Sequence, residues 1–351
     1  MSIFNSVSSQ EQVNFTKSLA IMLKSGISIN VALAELAEQS SSLYFRKIIN
    51  RVRVDIENGT SLSQAFDKEV KIFGAIFVSL VRAGEESGTL QGNLQFLAEW
   101  LNRSTDLKRE IAAATMYPKL VFGAATLLGG SLAVFILPKL VPLFTSLNVE
   151  LPWVTKTLLA LSLWIKEYWI FAVIGVALFT AGILYLNTFF RVRKIFHALY
   201  INIPFMGTLL KNYQRALVTQ LFATLLKSGL SLNQSVEIVS QAATNIQYQE
   251  SFRQIHNNVI KGTTLSKSMK SFSALFPSMM ISIVEVGENS GSLVQSFEYL
   301  SEFYTKEVNT SAKKLPIIIE PLLLILIAVI VGFVALAIIM PIYELTGNIS
   351  K

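Results

Sequence analysis

Four carboxylates stand where an acidic side chain could work for this protein: Glu85 and Glu86 in VRAGEESGTL, Glu288 in VEVGENSGSL, and Glu320 at the head of an apolar run. The first three lie beside glycines, Gly84 and Gly88 or Gly287 and Gly291, which would hold them on a tight turn for ionic contact with a basic partner. The plainer reading is a solvated turn in which only the glycines matter, because exposed carboxylates are ordinary. Glu320 is a sharper case. An acid near the start of an apolar span is costly unless paired or hydrated, so it marks a contact with a partner's positive charge or with a neighbouring helix. It also follows Lys314 by six residues, about 9 Å of helix, which keeps hydration at the headgroups open as an explanation.

Little other chemistry is available. The chain has no cysteine, which excludes a disulfide framework, a thiolate metal site and a cysteine nucleophile. Its two histidines, His197 and His256, each stand alone in a helical pattern with no ligand at metal spacing. The Lys-Ser-Gly turns at Lys24 and Lys227 lack the earlier glycine of a phosphate loop, and they follow helices where a nucleotide loop follows a strand. These lysines end equivalent helices and complement their dipoles. The reading is a protein without catalytic residues, cofactor or metal.

The elements that must position these acids begin with lipid. Of 351 residues, 52% are apolar and 15% charged, against about a quarter charged in ordinary soluble proteins. Three runs approach the ~20 residues needed to cross a bilayer as a helix: Leu120–Pro138, Tyr168–Phe190 and Pro321–Tyr343. Lysine and arginine set their orientation, since basic flanks stay inside. Residues 1–118 hold 12 of them and residues 191–314 hold 13, whereas 139–167 holds three. The start of the chain has no basic segment leading into an apolar run and does not read as a cleavable signal.

The expected order is therefore a cytoplasmic helical domain over 1–117, a span over 118–138, a periplasmic loop over 139–167 and a second span over 168–190. A second cytoplasmic domain over 191–314, a third span over 315–343 and a periplasmic tail over 344–351 complete it. The formal charge of +7 falls mostly on the second domain, with 13 basic against 7 acidic side chains. Arg191, Arg193, Lys194, Lys313 and Lys314 flank the membrane, where anionic headgroups attract them. Aromatic residues do not interleave with them as a nucleic-acid surface requires, so nucleic acid is rejected as a partner.

The two cytoplasmic parts are copies of one another at a constant offset of 203 residues. LKSGISIN (23–30) returns as LKSGLSLN (226–233), NGTSLSQAF (58–66) as KGTTLSKSM (261–269), and VRAGEESGTL (81–90) as VEVGENSGSL (284–293). The prolines obey the same offset, Pro118 with Pro321 and Pro138 with Pro341, and are expected to bend the membrane helices. Gly26, Gly84, Gly88, Gly229, Gly287 and Gly291 are expected at turns. Ser61, Ser231 and Ser292, each followed three residues on by glutamine, fit the capping-box spacing. Strand signals are nearly absent. The fold class is all-α: two repeated bundles of about five or six helices on three transmembrane helices. A rod from Thr89 to Pro138 would link the first bundle to the membrane.

With these motifs in hand, the chain resembles the type II secretion protein F (GspF) and PilC family of inner-membrane platform proteins. The duplicated Leu-Lys-Ser-Gly and Gly-Glu-x-Ser-Gly-x-Leu turns carry the resemblance, with Tyr117-Pro118, Ile136-Leu137-Pro138, Glu320-Pro321 and Val331-Gly332-Phe333. It implies a non-enzymatic platform beneath a growing type IV pilus or secretion pseudopilus, in a bacterial inner membrane. It also implies contact with a hexameric cytoplasmic assembly ATPase, with pilin or pseudopilin subunits and with other inner-membrane assembly proteins, and it implies homo-oligomers. A component of membrane transport is the alternative from a different class. The meagre polar inventory of the spans, Thr126, Ser131 and Thr180, argues against it.

Overall fold

The computed structural model describes residues 7–131 and 206–349, with isolated positions between 135 and 182. Every element among the described residues is helical. The first repeat contributes α1 (Ser9–Lys24), α2 (Ile29–Gln39), α3 (Leu43–Glu57), α4 (Leu62–Lys68), α5 (Val70–Phe73), α6 (Ala75–Ser87) and the long α7 (Leu90–Ser131). The second contributes α8 (Met206–Lys227), α9 (Leu232–Ala242), α10 (Ile246–Ile260), α11 (Leu265–Lys270), α12 (Ser278–Ser290) and the longer α13 (Leu293–Ile349). The chain divides into two compact units. One takes the residues up to Ile111 together with Phe196–Ser311, and the other takes Ala112–Ile195 and everything from Ala312 onward.

The helix breaks follow from the turn chemistry. After α1, Gly26 takes φ +80°, which lets the Ile27 amide donate back to the Met22 carbonyl at 3.0 Å. The second repeat does the same with Gly229 at φ +88° and Leu230 donating to Leu225 at 3.2 Å. A side chain at either glycine would cost roughly 1–2 kcal/mol in this left-handed geometry. Ser231 and Gln234 then close a full capping box at the start of α9. Ser61 accepts from the Gln64 amide at the start of α4, and Ser28 makes no side-chain cap bond.

Two of the six glycines are not turn residues. Gly84 lies inside α6 and Gly287 inside α12, in helical conformation. The turn that follows each is made by Gly88 and Gly291, both at φ +70°. Gly84 and Gly287 are small for another reason: α7 and α13 fold back onto them. A Cβ on Gly84 would sit 2.8 Å from Leu90 Cα, and one on Gly287 would sit 2.8 Å from Ser296 Cβ. The glycine spacing alone could not separate close packing from a left-handed cap.

The repeats share a backbone but fill it differently. In the first, Phe15, Phe45, Phe66, Phe73 and Phe77 form one aromatic cluster with ring centroids 4.7–6.3 Å apart. At the equivalent positions the second has Val218, Tyr248, Met269, Phe276 and Met280. It recovers aromatic volume at Phe222, Phe252 and Phe297, where the first repeat has Leu19, Ile49 and Leu94. Phe222 and Phe297 stack at 4.5 Å. Volume is conserved while shape changes, the kind of exchange a packed core tolerates best.

In the other unit the physical setting changes. Met116, Tyr117, Leu120, Phe122, Leu127 and Leu128 of α7 are all exposed, as are Leu322, Leu324, Ile325, Val329 and Val331 of α13. Among the described residues α7 is the one helix both long and apolar enough to cross a membrane. Pro118 sits inside α7 without ending it, and Pro321 and Pro341 lie within α13. Pro138, His197 and most of the run at 168–190 fall outside the described residues.

Candidate interaction surface

Glu85 and Glu288 do not project as free acids. The short helix α4 presents unsatisfied amides at its first turn, and Glu85 on α6 reaches across to take them. Leu62 N–H donates to Glu85 Oε1 at 2.7 Å, Ser63 N–H to Oε2 at 3.1 Å, and the Ser63 hydroxyl to Oε2 at 2.7 Å. Glu288 repeats this on α11, with Leu265 N–H at 2.6 Å, Ser266 N–H at 3.1 Å and the Ser266 hydroxyl at 2.7 Å. Each carboxylate thus clamps a short helix to the long hairpin behind it, and a negative charge there also suits the positive helix end. Burial raises the Glu85 carboxyl, but the Ser63 hydroxyl, the Ser63 and Leu62 amides and the Arg82 charge outweigh it and hold the group below its ordinary 4.5.

The two acids expected to reach a partner are therefore partly buried and already hydrogen-bonded. The plainer reading also needs amending, because the glutamates matter as well as the glycines. A signal did exist: Ser63 with Glu85 and Ser266 with Glu288 are separated by the same 22 residues, at the repeat offset. Reading it required knowing that α6 packs back on α4.

The other acids differ. Glu86 is exposed on α6 and lines a groove of about 240 Å³ between the repeats. Glu320 is exposed on α13, in the second unit. His256 is partly exposed on α10, and no cluster of three potential metal ligands occurs among the described residues.

A second duplicated latch was also missed by motif reading because its residue types differ. Gln12 Nε2 donates to the Ile72 carbonyl at 2.7 Å, and Arg215 Nε donates to the Leu275 carbonyl at 2.8 Å, both pairs lying at equivalent positions. Arg215 also lies 5.7 Å from the centre of the Tyr304 ring, and the Tyr248 hydroxyl joins it on Leu275 at 3.3 Å. Burial pushes the Tyr248 phenol up to about 12, so it stays a donor.

The repeats meet through unlike faces. The first offers the outer sides of α6 and α7, with Ala83, Glu86, Phe96 and Trp100. The second offers α8, α9 and the part of α13 up to Ser311, with Thr224, Lys227, Leu230, Gln234 and Glu302. Lys227 lies 5.8 Å from the centre of the Phe96 ring and pairs with Glu298 at 2.9 Å.

Comparison with known proteins agrees with this duplication. The family described as "Type II secretion system (T2SS), protein F" matches twice, over residues 15–138 and 218–341, which repeats the offset of 203. The chain is 32% identical to a type IV pilus assembly protein PilC of Thermus thermophilus, over 96% of this chain and 82% of that one. It is 27% identical to a Pseudomonas aeruginosa protein of the same name, over 95% and 89%. With a type II secretion system protein F of Xanthomonas campestris it shares 28%, over 96% and 83%. Two family matches in register with two clamped helical bundles leave one assignment: the chain belongs to the type II secretion system protein F family.

Proposed function

We propose that this protein is an inner-membrane platform for assembling a type IV pilus or a secretion pseudopilus. It couples a cytoplasmic hexameric assembly ATPase to the extraction of pilin subunits from the bilayer. The observation that carries this reading is the double family match, in register with the repeat, in a chain whose relatives along nearly its full length are named for pilus assembly and type II secretion. The protein itself does no chemistry in this account; the motor supplies ATP turnover.

In this reading three helices cross the membrane, with the amino terminus inside, both repeats cytoplasmic and the carboxyl terminus outside. The apolar side chains exposed around α7 and α13 support it, because a helix apolar on all sides needs lipid or protein around it. Arg191, Arg193, Lys194, Lys313 and Lys314 hold anionic headgroups. With the carboxylates of Glu85 and Glu288 engaged in clamps, contact with the motor rests on Glu86. Glu320 meets a pilin amino terminus or another inner-membrane assembly protein, and the platform works as a homo-oligomer.

Deleting the gene and counting surface filaments or secreted substrate tests the role. Loss restored by the wild-type chain supports it, and undiminished assembly removes it. Glu320→Gln in the restored strain tests the membrane contact: normal filament numbers would end that assignment while leaving the platform role intact.

A further inference from the structure

The contact between the repeats leaves two faces without their counterparts. In the second repeat, the face made by α8 and α9 is covered by the first repeat's α6 and α7. The same face exists on α1 and α2 of the first repeat, and no described residue covers it: a groove of about 410 Å³ runs there between α1 and α7. Its side chains are more apolar than those of the covered copy. Ile21, Ile27 and Val31 stand where the second repeat has Thr224, Leu230 and Gln234, and Ile21 and Val31 are 55% and 54% exposed.

The complementary face is duplicated and equally bare. Ala83 and Phe96 of the first repeat correspond to Val286 and Tyr299 of the second. Ala83 and Phe96 lie partly buried, whereas Val286 and Tyr299 are 64% and 55% exposed. Large apolar side chains exposed on both halves of a proven docking geometry are what an unmade contact leaves behind.

We infer that the occupant is a second copy of this chain. The outer face of α12 and α13, carrying Val286 and Tyr299, docks on the α1 and α2 face of the next copy, carrying Ile21, Ile27 and Val31. The bond between chains repeats the bond within the chain, so the contact is head to tail and not two-fold. This deepens the homo-oligomeric part of the proposed function.

The absence of native cysteine makes the test clean. Full-length chains carrying Val31→Cys or Val286→Cys are made separately and together in membranes, then treated with a short bismaleimide. A chain with Ala83→Cys and Gln234→Cys, which line the groove inside one chain, is the control for reaction within a chain. The expected result is a species of twice the 38.9 kDa chain mass when the two single variants are co-expressed, and its loss when either is expressed alone. Tyr299→Lys added to the Val286→Cys chain should abolish that species. A doubled species from Val286→Cys alone would mean a two-fold contact. Cross-linking of either face only to other proteins, or no doubled species while the control closes, would also overturn the inference. Because the readout is cross-linking, these failures leave the filament phenotype and the platform role untouched.

Discussion

Replacing Glu85 by glutamine should loosen α4 without disturbing its copy in the other repeat. The carboxylate gives two acceptor oxygens to three donors, the Leu62 and Ser63 amides and the Ser63 hydroxyl. Glutamine keeps the shape but offers one oxygen, and its amide group then faces a donor. One partly buried donor is left unmet, at about 1–3 kcal/mol. Loss of the charge at the helix start adds about 0.3–1 kcal/mol. A seven-residue helix has no propensity of its own to resist, since isolated helices this short are marginal at best. A total near 2 kcal/mol corresponds to about a 30-fold rise in the opening equilibrium. Hydrogen exchange with mass-spectrometric readout on the full-length detergent-solubilised chain measures it, comparing the peptide over 61–68 with that over 264–270. The second peptide contains α11, whose Glu288 clamp is intact, and should be unchanged. Equal protection of both peptides in the variant would refute the clamp. Glu86→Gln, at an exposed position, should leave both peptides as they were.

Other outcomes follow from the same geometry. The Glu85 carboxyl is held below its ordinary 4.5, so its contribution to stability is full above that value and is lost as pH falls through the lower value of the folded state. Exchange at 61–68 measured from neutral pH to below 4.5 should show protection falling in the wild type more than in Glu85→Gln. Gly84→Ala should destabilise the first repeat by roughly 1–3 kcal/mol through overpacking. It should be worse than Gly287→Ala, because the obstacle at 2.8 Å is the Leu90 backbone rather than the Ser296 side chain; thermal unfolding of the two variants decides. Arg215→Gln copies the first repeat's Gln12 and should keep the bond to Leu275. It should lose the ~0.5–1 kcal/mol of its contact with the Tyr304 ring and the Nη1 bond to Asn212 Oδ1 at 3.2 Å, where Arg215→Ala loses the Leu275 bond as well. The same unfolding measurement compares them.

The duplicated helical plan was legible because glycine and hydroxyl residues mark helix ends locally, and the offset of 203 shows them twice. Gly26 and Gly229 needed no tertiary information, since a left-handed residue after an apolar helix is a property of the turn itself. Gly84 and Gly287 were misread because their small size serves contact with the next helix, and a contact leaves no local trace. Glu85 and Glu288 were legible as singular residues, but the hydrogen bonds they accept were not, because the donors sit 22 and 23 residues away on an element whose placement the spacing could not reveal. The latch at Gln12 and Arg215 escaped for the opposite reason. Geometry is kept while residue type changes, so self-similarity in the sequence passes over it. The unlike faces through which the repeats meet were equally hidden, since the copies differ there only by substitutions such as Ile21 for Thr224.

A membrane-impermeant maleimide applied to chains with Asn58→Cys or Lys261→Cys, equivalent turn positions in the two repeats, tests whether both heads face the motor. Both cysteines should stay unlabelled in intact cells and react in inverted inner-membrane vesicles. Labelling of Lys261→Cys from outside intact spheroplasts would place the second repeat beyond the reach of any cytoplasmic ATPase and contradict the platform account.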